Sequence, residues 1–135
     1  MWARVVAALW LAGALGAAEL ECPKTVQVRQ VATDPPPGWT TSQSAAPVLL
    51  ASVTFFDGKP EEEASLVYDS MTPGRTYTRG IWTFTPGSHI WMACGYSGTS
   101  IVLSRELPPV TQCAVLFRRN VTVAGLPQVY RMYCQ

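Results

Sequence analysis

The stretch VLLASVTFFDG at residues 48–58 is the part of the sequence that decides the fold. Apolar residues occur on both sides of its two-residue alternation: Leu49, Ala51, Val53 and Phe55 on one side, and Val48, Leu50 and Phe56 on the other. A strand that is apolar on both faces is typical of the centre of a sheet. Asp57-Gly58 is a turn signal, and Lys59-Pro60 stops the strand from continuing.

The same alternation recurs on both sides of this stretch. It predicts six further strands, at residues 25–31, 76–85, 89–96, 100–107, 112–118 and 129–134. Turn signals separate them, among them Pro86-Gly87, Ser97-Gly98-Thr99, Pro108-Pro109 and Gly125-Leu126-Pro127. About seven short strands with turns between them predict an all-β fold, a small antiparallel sandwich or barrel.

One short helix is predicted at residues 60–66, PEEEASL. Proline fits the first helical turn, and carboxylates there interact favourably with the helix dipole. Glu61, Glu62 and Glu63 are also a candidate acidic metal site. Consecutive helical residues point in different directions, however, so these carboxylates do not converge on one ion. We therefore expect no metal and no cofactor.

The first 18 residues have the features of a signal peptide. Arg4 gives a positive start, residues 5–15 are apolar, and Gly16-Ala17-Ala18 supplies small residues for cleavage. The uncharged stretch at residues 5–18 spans 14 residues, whereas a membrane-spanning helix needs about 20. We expect a signal peptide at residues 1–18 and a single β domain at residues 19–135, without a transmembrane segment, in an exported protein that is periplasmic or secreted.

The charge balance bears on the choice of partner. Once Arg4 is removed with the signal peptide, nine basic residues face nine acidic ones, and the net charge of the remaining 117 residues is zero. A protein that binds the phosphate backbone needs a basic patch. The composition therefore argues against nucleic acid, and the apolar content of 48% excludes a disordered chain.

The four cysteines are expected to form disulfides, because an even count in an exported chain favours bonded cysteines over free thiols. The favoured pairing joins Cys22 to Cys134, at the two ends of the domain, and Cys94 to Cys113. It requires a change of sheet or a bend near Pro108-Pro109. If residues 89–118 instead form a flat meander, Cys22–Cys94 with Cys113–Cys134 fits better. A zinc site is disfavoured because the sequence has no Cys-x-x-Cys spacing.

His89 is the only histidine, so a serine–histidine or cysteine–histidine mechanism would have to use it. Its neighbours Ser88 and Trp91 form no nucleophile motif, and the chain has neither a Gly-x-Ser-x-Gly sequence nor a Gly-rich phosphate loop. We expect a protein that is not an enzyme and has no catalytic residue.

Aromatic residues near predicted loops are candidate contact residues, because exposed aromatic side chains often anchor binding. They are Trp39, Trp91 and Tyr96. The alternative is that Trp39 covers the core beneath the proline-rich loop and that Trp91 packs inside it. Arg118-Arg119 ends a predicted strand and is interpreted as a solvated, charged edge.

The order of several short motifs resembles a family of small exported bacterial proteins. They are Cys22-Pro23, Pro37-Gly38-Trp39, Phe55-Phe56-Asp57-Gly58, Trp82-x-Phe84, Trp91-x-x-Cys94-x-Tyr96, Leu107-Pro108, Cys113, and Gly125-Leu126-Pro127 before Cys134. The resemblance covers almost the whole chain after the signal peptide. It implies a Gram-negative envelope setting and the periplasm, and it supplies no activity, substrate or catalytic residue.

Three hypotheses of function follow. The first is a non-catalytic binding module of the periplasm whose partner is an unknown protein or envelope ligand. In one version it inhibits a hydrolase such as lysozyme by inserting the loop at residues 96–99 into a cleft. The second is a structural envelope component without a ligand site. The third, least favoured, is a hydrolase that depends on His89.

Overall fold

A computed structural model gives the structure of residues 20–43 and 46–135. Its strands follow one another as β1 (Thr25–Val26), β2 (Val48–Asp57), β3 (Ser65–Leu66), β4 (Ser70–Pro73), β5 (Tyr77–Thr83), β6 (Ile90–Tyr96), β7 (Val102–Glu106), β8 (Gln112–Val123) and β9 (Leu126–Cys134). The expected signal peptide, residues 1–18, lies outside the described residues. Within the described ranges, none of the helical structure is long and apolar enough to cross a bilayer.

The strands form two antiparallel sheets that pack as a sandwich. The first sheet has the order β1-β2-β6-β7, and β3 also pairs with β2; the second has the order β4-β5-β8-β9. The chain therefore changes sheet between β3 and β4, between β5 and β6, and between β7 and β8. The predicted all-β antiparallel fold is confirmed, in its sandwich form.

The core lies between the sheets and is centred on Phe55 of β2, which has no exposed surface. Its ring centroid lies 5.1 Å from that of Trp82 and 5.7 Å from that of Phe84. Trp82 belongs to the other sheet, so these tilted contacts join the two layers. Strand β2 has β6 on one side and β1 and β3 on the other, which confirms the central position predicted for it.

A β-bulge explains why both sides of the alternation in β2 are apolar. Leu50 pairs with Tyr96 and Ser52 pairs with Gly95, so Ala51 is an extra residue in the ladder. Because a bulge shifts the alternation by one residue, Leu50 faces the core before it and Phe55 faces the core after it. Both sides of the alternation are therefore apolar because the side of β2 that faces the core changes at the bulge.

The predicted helix at residues 60–66 is wrong beyond its first turn. The chain forms a single 3₁₀ turn at Pro60–Glu62, and Glu63 ends it in the left-handed region with a φ of 60°. Ser65–Leu66 then pairs with β2 opposite Phe56 and Phe55. Pairing with a buried strand covers Leu66 better than an isolated two-turn helix would, because such short helices are marginal in water.

The strand boundaries differ from the prediction in three further places. The first strand ends at Val26 instead of continuing to residue 31. Strand β4, Ser70–Pro73, lies in a region without clear alternation and was not predicted. Strand β8 extends to Val123, and a turn at Ala124-Gly125, where both residues have a positive φ, joins it directly to β9.

The favoured disulfide pairing is wrong, although the change of sheet it required is present between β7 and β8. The bonds join Cys22 to Cys94 and Cys113 to Cys134. Cys113 and Cys134 lie directly opposite each other in the β8–β9 ladder, with Cα atoms 4.1 Å apart. The short spacing matches a non-hydrogen-bonded antiparallel pair, where side chains lie closest. Cys22–Cys94 ties the segment before β1 to the middle of β6.

Removing the two disulfides separately should destabilise the protein to different extents. The bonds span 72 and 21 residues. Chain entropy then predicts losses of about 4 kcal/mol for Cys22→Ala with Cys94→Ala, and about 3 kcal/mol for Cys113→Ala with Cys134→Ala. Urea unfolding of the two double variants measures both. A smaller loss for the 72-residue closure would contradict this ranking.

Truncation of Phe55 should remove most of the contact between the sheets. Because Phe55 is fully buried, Phe55→Ala is expected to lower the free energy of unfolding by about 3–5 kcal/mol. Val67 is 80% exposed, so Val67→Ala is the matched control and should change it by less than about 0.5 kcal/mol. Thermal or urea unfolding followed by circular dichroism compares them, and equal effects would place the core elsewhere.

Candidate interaction surface

The outer face of the second sheet carries arginine and tyrosine side chains. Arg79, Leu116 and Arg131 lie in register across β5, β8 and β9, and Tyr77 lies opposite Arg118. The residues that alternate with them are buried in the core: Gly80, Trp82, Val115 and Met132. Since side chains alternate across a strand, the arginines and tyrosines face outward. This surface, the basic face, consists of Tyr77, Arg79, Leu116, Arg118, Tyr130, Arg131 and Tyr133.

A bulge in β9 brings Tyr130 to the same face as Arg131. Leu116 pairs with Arg131, whereas Phe117, the next residue of β8, pairs with Val129. Tyr130 is therefore an extra residue in β9, and such residues re-aim side chains. Without the bulge, strict alternation would direct Tyr130 towards the core.

Tyr130 is packed against Tyr77 and Arg118. The rings of Tyr77 and Tyr130 are stacked with centroids 4.7 Å apart and planes 11° from parallel. The Arg118 guanidinium carbon lies 4.7 Å from the centre of the Tyr130 ring, within the range of a cation–π contact. A hydrogen bond with Tyr130 raises the pKa of the Tyr77 hydroxyl above its ordinary value. These contacts hold the Arg118 side chain in place.

A groove lies where the basic face meets the start of the first sheet. Its volume is about 400 Å³, and it is lined by Lys24, Thr25, Leu49, Leu50, Arg118, Val123, Gln128, Val129 and Tyr130. The Lys24 Nζ atom donates to the carbonyls of Val129, at 3.2 Å, and Tyr130, at 2.7 Å. Burial lowers the pKa of the Lys24 ammonium, and Glu21 partly opposes that change.

Acidic residues collect at the opposite end of the first sheet. Asp57 ends β2, the exposed run Glu61–Glu63 follows it, and Glu106 ends β7, which runs in the same direction as β2 because both strands are antiparallel to β6. Lys24 lies beside Leu50, whose N–H donates to the Lys24 carbonyl, so the stretch from Leu50 to Asp57 separates it from this end by about 20–25 Å. Over the part of the chain that the structure describes, no cluster of three acidic, histidine or cysteine side chains is placed to hold a metal ion.

His89 lies at the acidic end and is paired with Glu106. Its Nδ1 atom lies 2.8 Å from a carboxylate oxygen of Glu106, and the side chains are 81% and 47% exposed. Together with Ser88 and Thr111 they line a cavity of about 550 Å³. The Thr111 hydroxyl donates to the carbonyl of Gln135, and all four cysteines are in disulfides. Because the His89 and Glu106 side chains are both exposed, their interaction is of the kind that contributes little to stability.

The three aromatic candidate residues do not share a surface. Trp39 is 74% exposed in the loop before β2, where its backbone N–H donates to the carbonyl of Pro36 at 3.1 Å. Trp91 is half-buried on β6, and Tyr96 points to the other face of that strand. Tyr96 is only 6% exposed, and its hydroxyl donates to the carbonyl of Pro23. Tyr96 therefore belongs to the core, contrary to its placement at a loop surface.

The sequence interpretation did not select the residues of the basic face. The sequence predicts only a charged edge for Arg118-Arg119, and no local pattern distinguishes Lys24. The available signal is the spacing of Tyr130-Arg131-x-Tyr133, which puts Arg131 and Tyr133 on one side of a strand. Tyr130 joins them through the bulge, and no local pattern predicts that bulge.

The structure defines a class of protein: a small disulfide-bonded β-sandwich that presents arginine and tyrosine side chains on the outer face of one sheet. These residue types are enriched among the residues that carry most of the binding energy of protein–protein interfaces. The family model described as "Type VI secretion system Tli immunity protein" matches residues 44–135, well over half of the chain. The protein belongs to this family. No curated protein and no solved structure matches the chain. The matched range includes both sheets from β2 onward and excludes β1, Cys22 and Lys24.

The exposure of Trp39 predicts that a quencher dissolved in the solvent reaches this tryptophan first. From residue 19 onward the chain contains three of its five tryptophans, Trp39, Trp82 and Trp91. Because Trp39 is 74% exposed and Trp82 is 5% exposed, Trp39→Phe should remove most of the acrylamide-quenchable, long-wavelength fluorescence. Trp82→Phe is the control and should remove a short-wavelength, protected component. Strong quenching that survives Trp39→Phe would contradict the exposed position.

Proposed function

We propose that this protein is a non-catalytic immunity protein that binds a toxin of a type VI secretion system and blocks its action. The observation that carries the proposal is the family match over residues 44–135. The described surface supports it, because the arginine and tyrosine side chains of the basic face are suited to a protein partner. The fold presents them on a rigid sheet, which lowers the entropy cost of binding.

We further propose that the protein acts after export, in the periplasm. Two disulfides are stable in an oxidising compartment and rare in the cytosol, and residues 1–18 have the composition of a signal peptide. A toxin delivered into the envelope would meet its inhibitor there.

A lysozyme inhibitor is a narrower version of the same class. The loop it would insert, residues 96–99, begins with Tyr96, which is held in the core through its bond to Pro23. Only Ser97, Gly98 and Thr99 are then available to enter a cleft. This version stays a prediction, and its direct test is the lysis of bacterial cell walls by lysozyme with excess protein.

Co-expression tests the main proposal. A type VI effector from the same genome, beginning with the one encoded nearest to this protein, is directed to the periplasm of a host that lacks the secretion system. Cells that also express this protein are expected to survive, and a chain without residues 2–18 is the matched control that should not protect. Survival is counted as colonies after induction.

Physical binding is measured with a catalytically inactive form of the same effector. Size-exclusion chromatography should show one complex, and calorimetry should give a defined stoichiometry. Absence of both protection and complex formation for every effector of that genome would overturn the proposal and would favour a structural envelope component.

A further inference from the structure

We propose that the groove between Lys24 and Arg118 is the docking site for a carboxylate-bearing segment of the toxin, with the basic face as the surrounding contact surface. This inference rests on the proposed function for the identity of the partner. The chemistry of the groove indicates that the partner must present an acidic group.

The groove contains cationic donors that are held in place and not fully used. An ammonium has three N–H donors, and Lys24 gives two of its hydrogen bonds to the carbonyls of Val129 and Tyr130. One direction is left for a ligand. The Arg118 Nε atom is buried and has no hydrogen-bond partner in the described part of the protein. A carboxylate can accept from several N–H donors at once, and the Arg118 guanidinium has further N–H groups beyond the buried Nε.

The charges around the groove are unbalanced. Lys24 interacts electrostatically with Arg118 and Arg131, which are cations, and with Glu21. Glu21 is already engaged, because its carboxylate accepts a hydrogen bond from the backbone N–H of Met132 at 3.3 Å. Three cations therefore face one carboxylate, and an acidic group from a partner would relieve their mutual repulsion.

The walls of the groove favour a protein over a nucleic acid. Leu50, Val129 and the Tyr130 ring line it beside the two cations, so an acidic side chain can enter along with its apolar stem. A nucleic-acid site draws on a field of many basic residues, whereas this chain has nine basic and nine acidic residues after residue 18. Arginine and tyrosine together are also the residue types that carry protein–protein binding energy.

The Arg118 side chain is preorganised for binding the partner's carboxylate. Stacking of Tyr77 on Tyr130, and of Arg118 over Tyr130, fixes the guanidinium before a ligand arrives. Little side-chain entropy is then lost on binding. We expect the partner's carboxylate to bridge Lys24 and Arg118.

The test is binding of the inactive effector to charge variants. Lys24→Glu and Arg118→Gln should each raise the dissociation constant at least about tenfold. Lys59→Glu is the matched control, since Lys59 is exposed in the turn at the acidic end and its reversal changes the net charge by the same amount. It should shift binding by less than about twofold. Lys24→Met removes the charge and keeps the stem, and should give an intermediate loss.

Two further measurements separate docking from folding. Thermal unfolding should show that Lys24→Glu is folded, so that its loss of binding reports on contact even if Arg118→Gln is unstable. The association rate of the wild-type protein should fall as salt rises, because salt screens exposed charges, and the rate of Lys24→Glu should fall less.

The outcomes distinguish the two proposals. No binding of the effector to the wild-type protein removes the proposed function. Binding that is equal in Lys24→Glu and Lys59→Glu removes the docking site and leaves the function standing. Binding of a fluorescent DNA duplex that competes with the effector and is lost in Lys24→Glu would overturn the assignment to a protein carboxylate.

Discussion

The contact of Phe55 with Trp82 and Phe84 is the interaction on which the rest of the structure depends. Phe55 lies on the first sheet and Trp82 on the second, so their packing fixes the distance and angle between the layers. The Trp82 indole N–H also donates to the carbonyl of Leu66, 3.2 Å away, and so holds β3 against this cluster. Because sheet-on-sheet packing determines which faces remain outside, the core contact also positions the basic face.

The two bulges have opposite consequences for the molecule. The bulge at Ala51 keeps the start and the end of β2 facing the core and so completes the hydrophobic layer. The bulge at Tyr130 turns an aromatic ring outward, where it supports Arg118. In each strand one extra residue decides whether a side chain packs or is presented to solvent. A β-bulge thus contributes both to the hydrophobic core and to the candidate surface.

Much of the fold could be predicted from the sequence, and the candidate surface could not. Strong alternation in residues 48–56 and 89–96 predicted β2 and β6, because a buried strand leaves a two-residue pattern. The helix at residues 60–66 was wrong because the pairing of Leu66 with Phe55 is a non-local contact. The disulfide pairing and the position of Lys24 and Arg118 in one groove likewise depend on which strands become neighbours. The local spacing of residues does not determine which strands are neighbours.

Residues 19–135 contain equal numbers of basic and acidic residues, and the separation of Lys24 from the acidic run Glu61–Glu63 gives them an electric dipole moment along β2. Such a molecule is not drawn towards a charged surface from far away, but it is rotated by that surface. An acidic partner would therefore turn the basic end towards itself over the last one or two screening lengths, each about 8 Å at physiological salt. Orientation, and not attraction, is then the electrostatic contribution to encounter.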